Sequence, residues 1–320
     1  MPSKMRIAAT RRAVIDIGTN SVKLLVADVA GNEVKPLLEK SEQTRLGRGF
    51  FETQQLQPES IALTARAVAN FATEARPLAL RSIRVIATSA ARDARNQAEF
   101  LRAIEDAAGL QVEIISGEQE AKWAFAGVTS GPGFGNDLLA VLDLGGGSTE
   151  IILGESRSPY FHQSFPLGTV RLLEKIQPAD PPHPRDWQRC ENEISEFVNR
   201  YLRPALEPVL RHFSPRRATL IGTGGTTSIL ACMHLKMQSF DRDRIEAVRF
   251  AQTDVWNQQQ QLWSLRLAER RQIIGLPPNR ADVILMGVAI FAIVMRAFDF
   301  AELRVSTRGL RFAAIIDAEG

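Results

Sequence analysis

The sequence predicts an α/β protein that folds as two similar domains. The segments Val14–Val26 and Val141–Leu153 align over thirteen positions without a gap, at an offset of 127 residues. Each copy is an apolar strand that ends in Asp-x-Gly, a turn of small polar residues and a second apolar strand. A chain of 320 residues is also longer than one hydrophobic core usually serves. A repeat of this kind in so long a chain indicates one copy per domain.

The first half of the chain alternates strands with helices, as α/β domains do. After the first hairpin we expect a third strand at Val34–Lys40 and a helix over Gln57–Glu74, where apolar residues recur at helical spacing. The further elements predicted in this half are the strand Ile83–Ala87, a helix that carries Arg92, Arg95 and Asn96, a helix through Phe100 and Ile104, the strand Val112–Ile115 and a helix capped by Ser116.

The second half begins after the turn-rich linker Gly131–Asn136. Beyond the second hairpin the pattern predicts a long helix over Trp187–Phe213, interrupted or kinked near Pro204 and Pro208. The remaining predicted elements are the strand Leu220–Ile221 with a Gly-rich turn after it, a helix from Ser228, a buried helix over Val283–Met295, a strand at Leu303–Ser306 and a last helix after Arg308.

The composition excludes several classes of protein. With 45% hydrophobic and 23% charged residues the chain is an ordinary globular protein. The apolar run Val283–Met295 is shorter than the roughly 20 residues needed to span a bilayer, so we expect no membrane association. Only Cys190 and Cys232 are present, too few for a disulfide framework, which favours a reducing cytoplasm.

The charge of the chain is mildly basic, with a formal net charge of +3. Of the 39 basic residues 32 are Arg, whose planar guanidinium suits an anionic substrate, although a compositional bias of the genome explains that ratio as well. No run of basic residues with interleaved aromatics stands out, so we expect no nucleic-acid partner.

The two Asp-x-Gly turns are the candidate phosphate-binding elements. Their glycines let a ligand approach the backbone closely, so each turn presents N–H groups and a Ser hydroxyl. A lone Gly-rich hairpin is usually structural, but two matched copies and a third Gly-rich turn at Gly222–Thr226 favour phosphate. We expect the two hairpins to face each other across a phosphate-sized cleft. The candidate phosphate-binding residues are Thr19, Asn20, Ser21, Gly145, Gly146, Gly147, Ser148, Thr149, Gly224 and Gly225.

Three carboxylates lie on or beside these turns: Asp16, Asp143 and Glu150. Anions next to a phosphate site would repel the ligand unless a cation lies between them, so the sequence predicts Mg²⁺, with Mn²⁺ as the alternative metal. The competing interpretation is that Asp16 and Asp143 stabilise their own turns by accepting backbone N–H bonds.

Two acidic residues open the helix after Ser116, and either could activate a water molecule. Glu118 and Glu120 are two apart and so point about 200° apart on a helix, which lets only one face the cleft. A Glu in this place could deprotonate a water that attacks phosphorus, although acidic residues are also favoured at helix starts by the helix dipole. Arg92 either reaches phosphate oxygens or is an ordinary exposed helix residue.

The motifs of other phosphate-binding and hydrolytic enzymes are missing from the sequence. We find no P-loop or dinucleotide-binding pattern in the required strand-to-helix context, and no GxSxG nucleophile motif. The four His residues are scattered without metal-ligand spacing. Direct attack by water is therefore the simpler mechanism.

Seven segments together resemble a known family. They are Ile15–Ser21, Ala87–Arg92, Ile115–Ala121, Leu142–Glu150, Pro166–Gly168, Gly222–Thr226 and Arg280–Asp282. In these segments the chain resembles the exopolyphosphatase / guanosine pentaphosphate phosphohydrolase (Ppx/GppA) family of the actin-like ATPase superfamily. The resemblance implies an α/β fold of two ribonuclease-H-like domains with an interdomain cleft. It places domain I at residues 1–127 plus 304–320 and domain II, with helical insertions, at residues 128–303.

The resemblance also implies roles for individual residues. The family's catalytic Glu precedes Ala in the segment Ile115–Ala121, which selects Glu120 rather than Glu118. Arg92 falls on the family's phosphate-gripping Arg. The Gly145–Ser148 turn falls on its phosphate loop. The residues that fall on its carboxylates for metal and water are Asp16, Asp143 and Glu150, the last also counted as catalytic.

The implied activity is hydrolysis of a terminal phosphoanhydride bond, with inorganic polyphosphate as the first substrate and guanosine pentaphosphate (pppGpp) as the second. A regulator that binds guanosine penta- or tetraphosphate with little turnover, and a kinase of the same superfold, are the alternatives. Retention of the base, the Arg and the full turn argues against a protein that only binds. The family favours a homodimer, and the predicted location is the cytoplasm.

Overall fold

The structure, a computed structural model, describes residues 8–134, 137–155 and 158–317. Its strands form one five-stranded and one six-stranded sheet. In chain order they are β1 (Thr10–Ile17), β2 (Val22–Ala30), β3 (Glu33–Glu42), β4 (Ser82–Ala87), β5 (Val112–Ile114), β6 (Leu139–Leu144), β7 (Thr149–Glu155), β8 (Ser158–Phe165), β9 (Thr219–Thr223), β10 (Arg249–Ala251) and β11 (Glu302–Val305).

The helices follow and separate these strands as the α/β prediction requires. They are α1 (Phe50–Thr53), α2 (Pro58–Ala75), α3 (Ser89–Arg92), α4 (Gln97–Ala108), α5 (Gly117–Thr129), α6 (Thr169–Ile176), α7 (Pro184–Phe197), α8 (Arg203–His212), α9 (Gly225–His234), α10 (Arg242–Glu246), α11 (Gln252–Ser264), α12 (Leu267–Arg270), α13 (Ile284–Ala297) and α14 (Leu310–Ala314). Short 3₁₀ helices lie at Arg76–Leu78 and Pro278–Arg280, and a π-helical turn lies at Val198–Leu202.

The chain divides into two compact units. Unit 1 comprises Met1–Ser130 and Leu310–Gly320, and unit 2 comprises Gly131–Gly309. The chain therefore leaves unit 2 six residues after the predicted end of domain II at 303, because β11 pairs with β9 and β10 in the unit 2 sheet. Residues 135 and 136 of the predicted linker lie outside the described residues.

Unit 1 has helices on both faces of its sheet, whose strand order is β3-β2-β1-β4-β5. Successive residues of β1 point to opposite faces, so Ile15 packs into the cluster that holds Phe100 of α4, whereas Val14 packs with Trp123 of α5 and Phe312 of α14. The sheet is thus buried on both sides. The unit is a three-layer sandwich in which the ends of the strands, rather than the faces of the sheet, are available for a site.

Unit 2 has the strand order β10-β11-β9-β6-β7-β8. Its core contains α13, whose residues 284–295 are all buried, together with the apolar sides of α7 and α11. This confirms the prediction of a buried helix over Val283–Met295. Within the ranges that the structure describes, no helix combines the length and the apolar character needed to cross a membrane.

The sequence repeat is also a structural repeat. In unit 1, β1 pairs antiparallel with β2 so that Asp16 lies opposite Lys23. In unit 2, β6 pairs with β7 in the same register, so that Asp143 lies opposite Glu150. A third antiparallel strand and a parallel fourth strand flank each hairpin, since the orders β3-β2-β1-β4 and β8-β7-β6-β9 correspond. The prediction of two similar α/β units is confirmed.

Two predicted helices differ from the structure. The helix with Arg92 ends at that residue, because the Asn96 side chain bonds both the N–H and the C=O of Leu56 and holds the chain in a turn. The predicted break in the long second helix is a π-helical turn at Val198–Leu202, just before Pro204. Pro204 has no N–H to donate, and the wider turn lets the helix continue to His212.

Candidate functional site

The turn between β1 and β2 is a closed, supported loop. The N–H of Gly18 donates to the carbonyl of Ser21 at 3.0 Å. The segment after β3 covers the turn from outside: Gly47 N–H donates to Thr19 O at 2.7 Å, and Arg45 N–H donates to Asn20 O at 3.1 Å. These bonds occupy carbonyl oxygens of the turn, so the groups left for a ligand are N–H groups and side chains.

Three polar atoms at this turn are buried without a hydrogen-bond partner among the described residues: Asp16 Oδ1, Thr19 Oγ1 and Asn20 Nδ2. Buried polar groups are almost always satisfied, so three exceptions at one turn indicate a place for a ligand. Burial raises the pKa of the Asp16 carboxyl, which is only 5% exposed, while Lys23 and Arg311 act in the opposite direction.

The turn between β6 and β7 is closed in the same way, since Gly145 N–H donates to Ser148 O at 3.0 Å. Here the start of α6 supports the turn. Gly145 O accepts from Thr169 N–H at 3.0 Å, and Gly146 O accepts from Val170 N–H at 2.8 Å. The helix start therefore binds the carbonyl side of the turn.

The opposite side of this turn carries the N–H groups of Gly146 and Gly147, and neither donates to any acceptor in the described part of the chain. Gly147 O accepts from Arg171 Nε at 3.0 Å, so its carbonyl is held like those of its neighbours. A turn whose carbonyls are all occupied and whose amides are open is suited to bind an anion.

A row of polar residues crosses four strands of unit 2 next to this turn. By register, Thr223 of β9 lies beside Asp143 of β6, Asp143 opposite Glu150 of β7, and Glu150 opposite Ser164 of β8. Glu150 is only 1% exposed, and its Oε1 accepts from Ser164 Oγ at 2.7 Å. Two carboxylates directly opposite each other repel unless a cation or a proton is shared between them.

The third Gly-rich turn lies against the same row. Gly224 has φ +93°, and a Cβ there would lie 2.9 Å from Asp143 Oδ1. A Cβ on Gly309 would lie 3.1 Å from Thr223 Oγ1 and 3.8 Å from Asp143 Oδ2. Backbone thus approaches Asp143 closely from two sides. Gly225 follows at the start of α9, and the position of its Cβ would be 3.7 Å from Arg280 Nη2.

The two acidic residues at the start of α5 differ sharply in environment. Glu120 is 7% exposed and its Oε2 accepts from Arg92 Nη1 at 3.0 Å. The Glu118 side chain is 65% exposed and pairs with Lys122, one turn further along the helix, at 2.7 Å. A lone surface pair of this kind contributes little to stability. The structure therefore separates a buried acid from a solvent-facing one.

Arg92 makes several contacts within unit 1, but they do not involve all of its guanidinium nitrogens. Its Nη1 also donates to Ile115 O at 3.2 Å, and its Nε lies 3.5 Å from Asp93 Oδ1. Its Nη2 has no partner within the residues that the structure covers, and the side chain is 21% exposed. One edge of the guanidinium is thus free to bind a further oxyanion.

The donor atoms of the site decide whether the predicted Mg²⁺ fits. No three side chains from His, Cys, Asp and Glu among the described residues form a group that could hold a metal ion. Mg²⁺ does not need such a cage, because proteins usually bind it through one or two carboxylates together with water and substrate phosphates. Each unit has donors of this type: Oδ1 of Asp16, which has no partner among the described residues, in unit 1, and the opposed carboxylates Asp143 and Glu150 in unit 2. The residues present therefore fit Mg²⁺.

A family model described as the Ppx/GppA phosphatase family matches residues 25–319. The chain belongs to the Ppx/GppA family. Membership confirms the predicted family and the prediction of an enzyme that hydrolyses phosphoanhydrides.

Individual Ppx/GppA relatives agree with this assignment. An exopolyphosphatase 2 of Mycobacterium tuberculosis is 35% identical over 288 residues, which cover 87% of this chain and 88% of that protein. A solved exopolyphosphatase from Cytophaga hutchinsonii has a TM-score of 0.86 at 25% identity and covers 97% of this chain and 98% of its own. The Aquifex aeolicus PPX-GPPA enzyme has a TM-score of 0.77 at 28% identity and covers 97% and 99%. The actin-like ATPase fold is thereby confirmed.

The structure groups the predicted Ppx/GppA site residues within each unit. Unit 1 brings Glu120 to Arg92, and it places Asp16 beside its turn with Thr19, Asn20 and Ser21. Unit 2 collects the larger set: Asp143, Gly145, Gly146, Gly147, Ser148, Thr149, Glu150, Gly224 and Gly225. The cleft between the domains stays a prediction.

Three residues that contact Glu150 or the turn between β6 and β7 were not among the predicted site residues: Ser164, Gly168 and Arg171. A Cβ on Gly168 would lie 2.4 Å from Gly146 O, so this position must remain Gly for the turn to keep its place. The segment Pro166–Gly168 did contribute to the family resemblance, which is the one signal that could have directed attention to it.

Proposed function

We propose that this Ppx/GppA protein is an exopolyphosphatase, which hydrolyses the terminal phosphoanhydride bond of inorganic polyphosphate and releases orthophosphate. The observation that carries the proposal is the pair Glu120 and Arg92, in which a buried carboxylate lies beside a guanidinium with one uncommitted edge. The name of the M. tuberculosis relative, exopolyphosphatase 2, supports polyphosphate as the substrate.

In the proposed mechanism Glu120 acts as the general base. Water attacks the terminal phosphorus, its proton passes to the Glu120 carboxylate, and the bond between phosphorus and the bridging oxygen breaks so that the shortened chain leaves. A base that is positioned in this way contributes typically 10²–10⁴-fold to a rate. Glu118 cannot share the task, because it points to solvent on another side of α5.

Arg92 and the open amides of Gly146 and Gly147 would stabilise the charge on the phosphoryl oxygens. Phosphoryl transfer needs little covalent chemistry from the protein, so positioning and electrostatic stabilisation dominate. The free Nη2 edge of Arg92 provides one such donor, and the supported turn after β6 provides two. Thr19, Asn20, Ser21, Ser148, Thr149, Gly224 and Gly225 are proposed as further phosphate contacts.

Mg²⁺ is the proposed cofactor, with Mn²⁺ as the alternative, and Asp16, Asp143 and Glu150 are the carboxylates that would hold it. When bound, the metal neutralises negative charge on the phosphate oxygens. Glu150 serves a second purpose in the proposal by orienting water. Polyphosphate is then the small-molecule partner, and a cytoplasmic homodimer remains the expected state.

Release of the terminal phosphate of pppGpp is the alternative activity, and binding of guanosine tetraphosphate without turnover is the alternative role. The test measures orthophosphate release from polyphosphate and from pppGpp, each with Mg²⁺, for the wild type, Glu120→Gln and Glu118→Gln. We expect Glu120→Gln to lower kcat at least about 100-fold while binding is retained, because the amide cannot accept a proton. Glu118→Gln is the matched control on the same helix and should stay within about twofold.

Equal activity of the two variants would remove the assignment of Glu120 as the base. Faster turnover of pppGpp than of polyphosphate would select the alternative substrate. Tight binding of guanosine tetraphosphate with no hydrolysis of either compound would select the regulator.

A further inference from the structure

Glu150 is an unusual residue in the polar row of unit 2, because it is almost fully buried and lies directly opposite another carboxylate. Its exposure is 1%, and the register pairs it with Asp143 on β6. The orientation of its carboxylate plane decides where the two oxygens lie, and a metal ion binds well only to oxygens in a defined position. The neighbouring strand supplies a group that can hold this orientation.

We infer that Ser164 is a positioning residue that fixes the orientation of the Glu150 carboxylate for metal binding and catalysis, an inference that rests on the proposed function. Ser164 lies opposite Glu150 in the β7–β8 ladder, and its hydroxyl donates to Glu150 Oε1 at 2.7 Å. A hydrogen bond of this length fixes the position of the acceptor oxygen.

The bond also sets the place of the second oxygen. With Oε1 held by Ser164, rotation about the last side-chain torsion of Glu150 is restricted, and this torsion is otherwise broad for Glu. Oε2 then keeps one position relative to Asp143. Supporting groups of this kind orient metal-binding and catalytic side chains, and their loss typically costs 10–100-fold in metal affinity or activity.

The repeat offers a natural control in unit 1. Ser41 on β3 lies opposite Lys23 on β2, which is the position equivalent to Ser164 opposite Glu150. Its neighbour is a cation rather than a buried carboxylate, and the Ser41 side chain is exposed. Removal of this hydroxyl should leave the activity of the enzyme unchanged.

The experiment compares Ser164→Ala, Ser164→Thr and Ser41→Ala in the full chain. Steady-state kinetics with polyphosphate and Mg²⁺ give kcat and KM, and the shift in melting temperature on titration with Mg²⁺ or Mn²⁺ reports metal binding without turnover. We expect Ser164→Ala to lower kcat about 10-fold or more with little change in KM, and to raise the metal concentration for a half-maximal shift by a similar factor. Ser164→Thr keeps the hydroxyl and should restore both, since Thr is well accommodated on a strand.

A Ser164→Ala protein with wild-type kcat and an unchanged metal titration would overturn the inference. Equal losses in the Ala and Thr variants would also overturn it, because the packing of the strand rather than the hydroxyl would then be responsible. If the wild type hydrolyses no phosphoanhydride, the proposed function fails. The metal titration still decides whether Ser164 orients Glu150.

Discussion

Gly168 provides a clean test of whether the second turn must keep its position. It lies at φ −147°, ψ 159°, an extended conformation that any residue adopts, so Ala would bring no backbone strain. The added Cβ would nevertheless lie 2.4 Å from Gly146 O and 2.5 Å from the carbonyl carbon of Gly147. The obstacle is backbone, which cannot rotate away as a side chain could.

The size of the effect follows from this distance. Contacts of Cβ below 3.0 Å are essentially never observed, so Gly168→Ala has to push the turn away by at least 0.6 Å, the difference between 3.0 Å and 2.4 Å. A misplacement of about 1 Å can cost about 100-fold in rate, which puts the expected loss in kcat between about 10- and 100-fold. Overpacking of this kind costs about 1–3 kcal/mol of stability.

Gly109→Ala is the control for stability, because Gly109 has φ +63° and, its two chain neighbours aside, no atom of the described residues lies within 4 Å of the Cβ position. It should destabilise unit 1 by about 1 kcal/mol through backbone strain and leave kcat unchanged. The assay is orthophosphate release under saturating substrate, combined with denaturant unfolding of both variants. If Gly168→Ala keeps wild-type kcat, the amides of the turn do not bind the reacting phosphate, and that part of the mechanism is refuted.

Two further predictions concern unit 1. For Arg92→Lys we expect kcat to fall about 10-fold or more at nearly unchanged stability, because a compact ammonium group lacks the second nitrogen with which the guanidinium would reach a phosphate while it contacts Ile115 O and Glu120. Arg92→Ala should also lower stability by about 1–3 kcal/mol, since the charged hydrogen bond to the buried Glu120 carboxylate would be lost; equal denaturant midpoints for both variants would contradict this. For Asp16 the native pKa is raised by burial, so the unfolded state releases its proton first and stability falls as pH rises through the interval between the two pKa values. The Asn side chain of Asp16→Asn cannot ionise, so we expect this variant to melt at a higher temperature than the wild type at neutral pH. The difference in melting temperature should be smaller at acidic pH, and the activity should be lower. A lower melting temperature of the variant at neutral pH would show that the charge of Asp16 stabilises the fold.

Much of the fold could be predicted from local pattern. The gapless repeat implied two equivalent hairpins, and the registers Asp16 to Lys23 and Asp143 to Glu150 confirm it. Helical spacing over Gln57–Glu74 agrees with α2. These features depend on residues close in sequence, where periodicity is a direct physical signal.

The parts that could not be predicted depend on contacts between distant residues. Gly168 has no side chain that could indicate a role, and its proximity to Gly146 arises because the start of α6 packs against the turn. The partner of Glu150 depends on the register of β7 with β8, which contains an irregularity between Leu153 and Gly154. A shift of one residue would have placed Gln163 rather than Ser164 opposite Glu150, and sequence alone does not determine that choice.

The two halves of the repeat share a scaffold but carry opposite charges at one strand position. Lys23 opposes Asp16 in unit 1, and this cation lies near enough to counteract the raised pKa of that carboxyl. Glu150 occupies the equivalent position in unit 2, where it places a second carboxyl group opposite Asp143 instead. A carboxylate that faces a protein cation has less need of a metal than two carboxylates that face each other. We therefore expect the binding of divalent metal to depend most strongly on Asp143 and Glu150 in unit 2. The proposed base Glu120 and its partner Arg92 lie in unit 1. The charge at these two equivalent strand positions, Lys23 in one unit and Glu150 in the other, thus distinguishes the surroundings of Asp16 from those of Asp143.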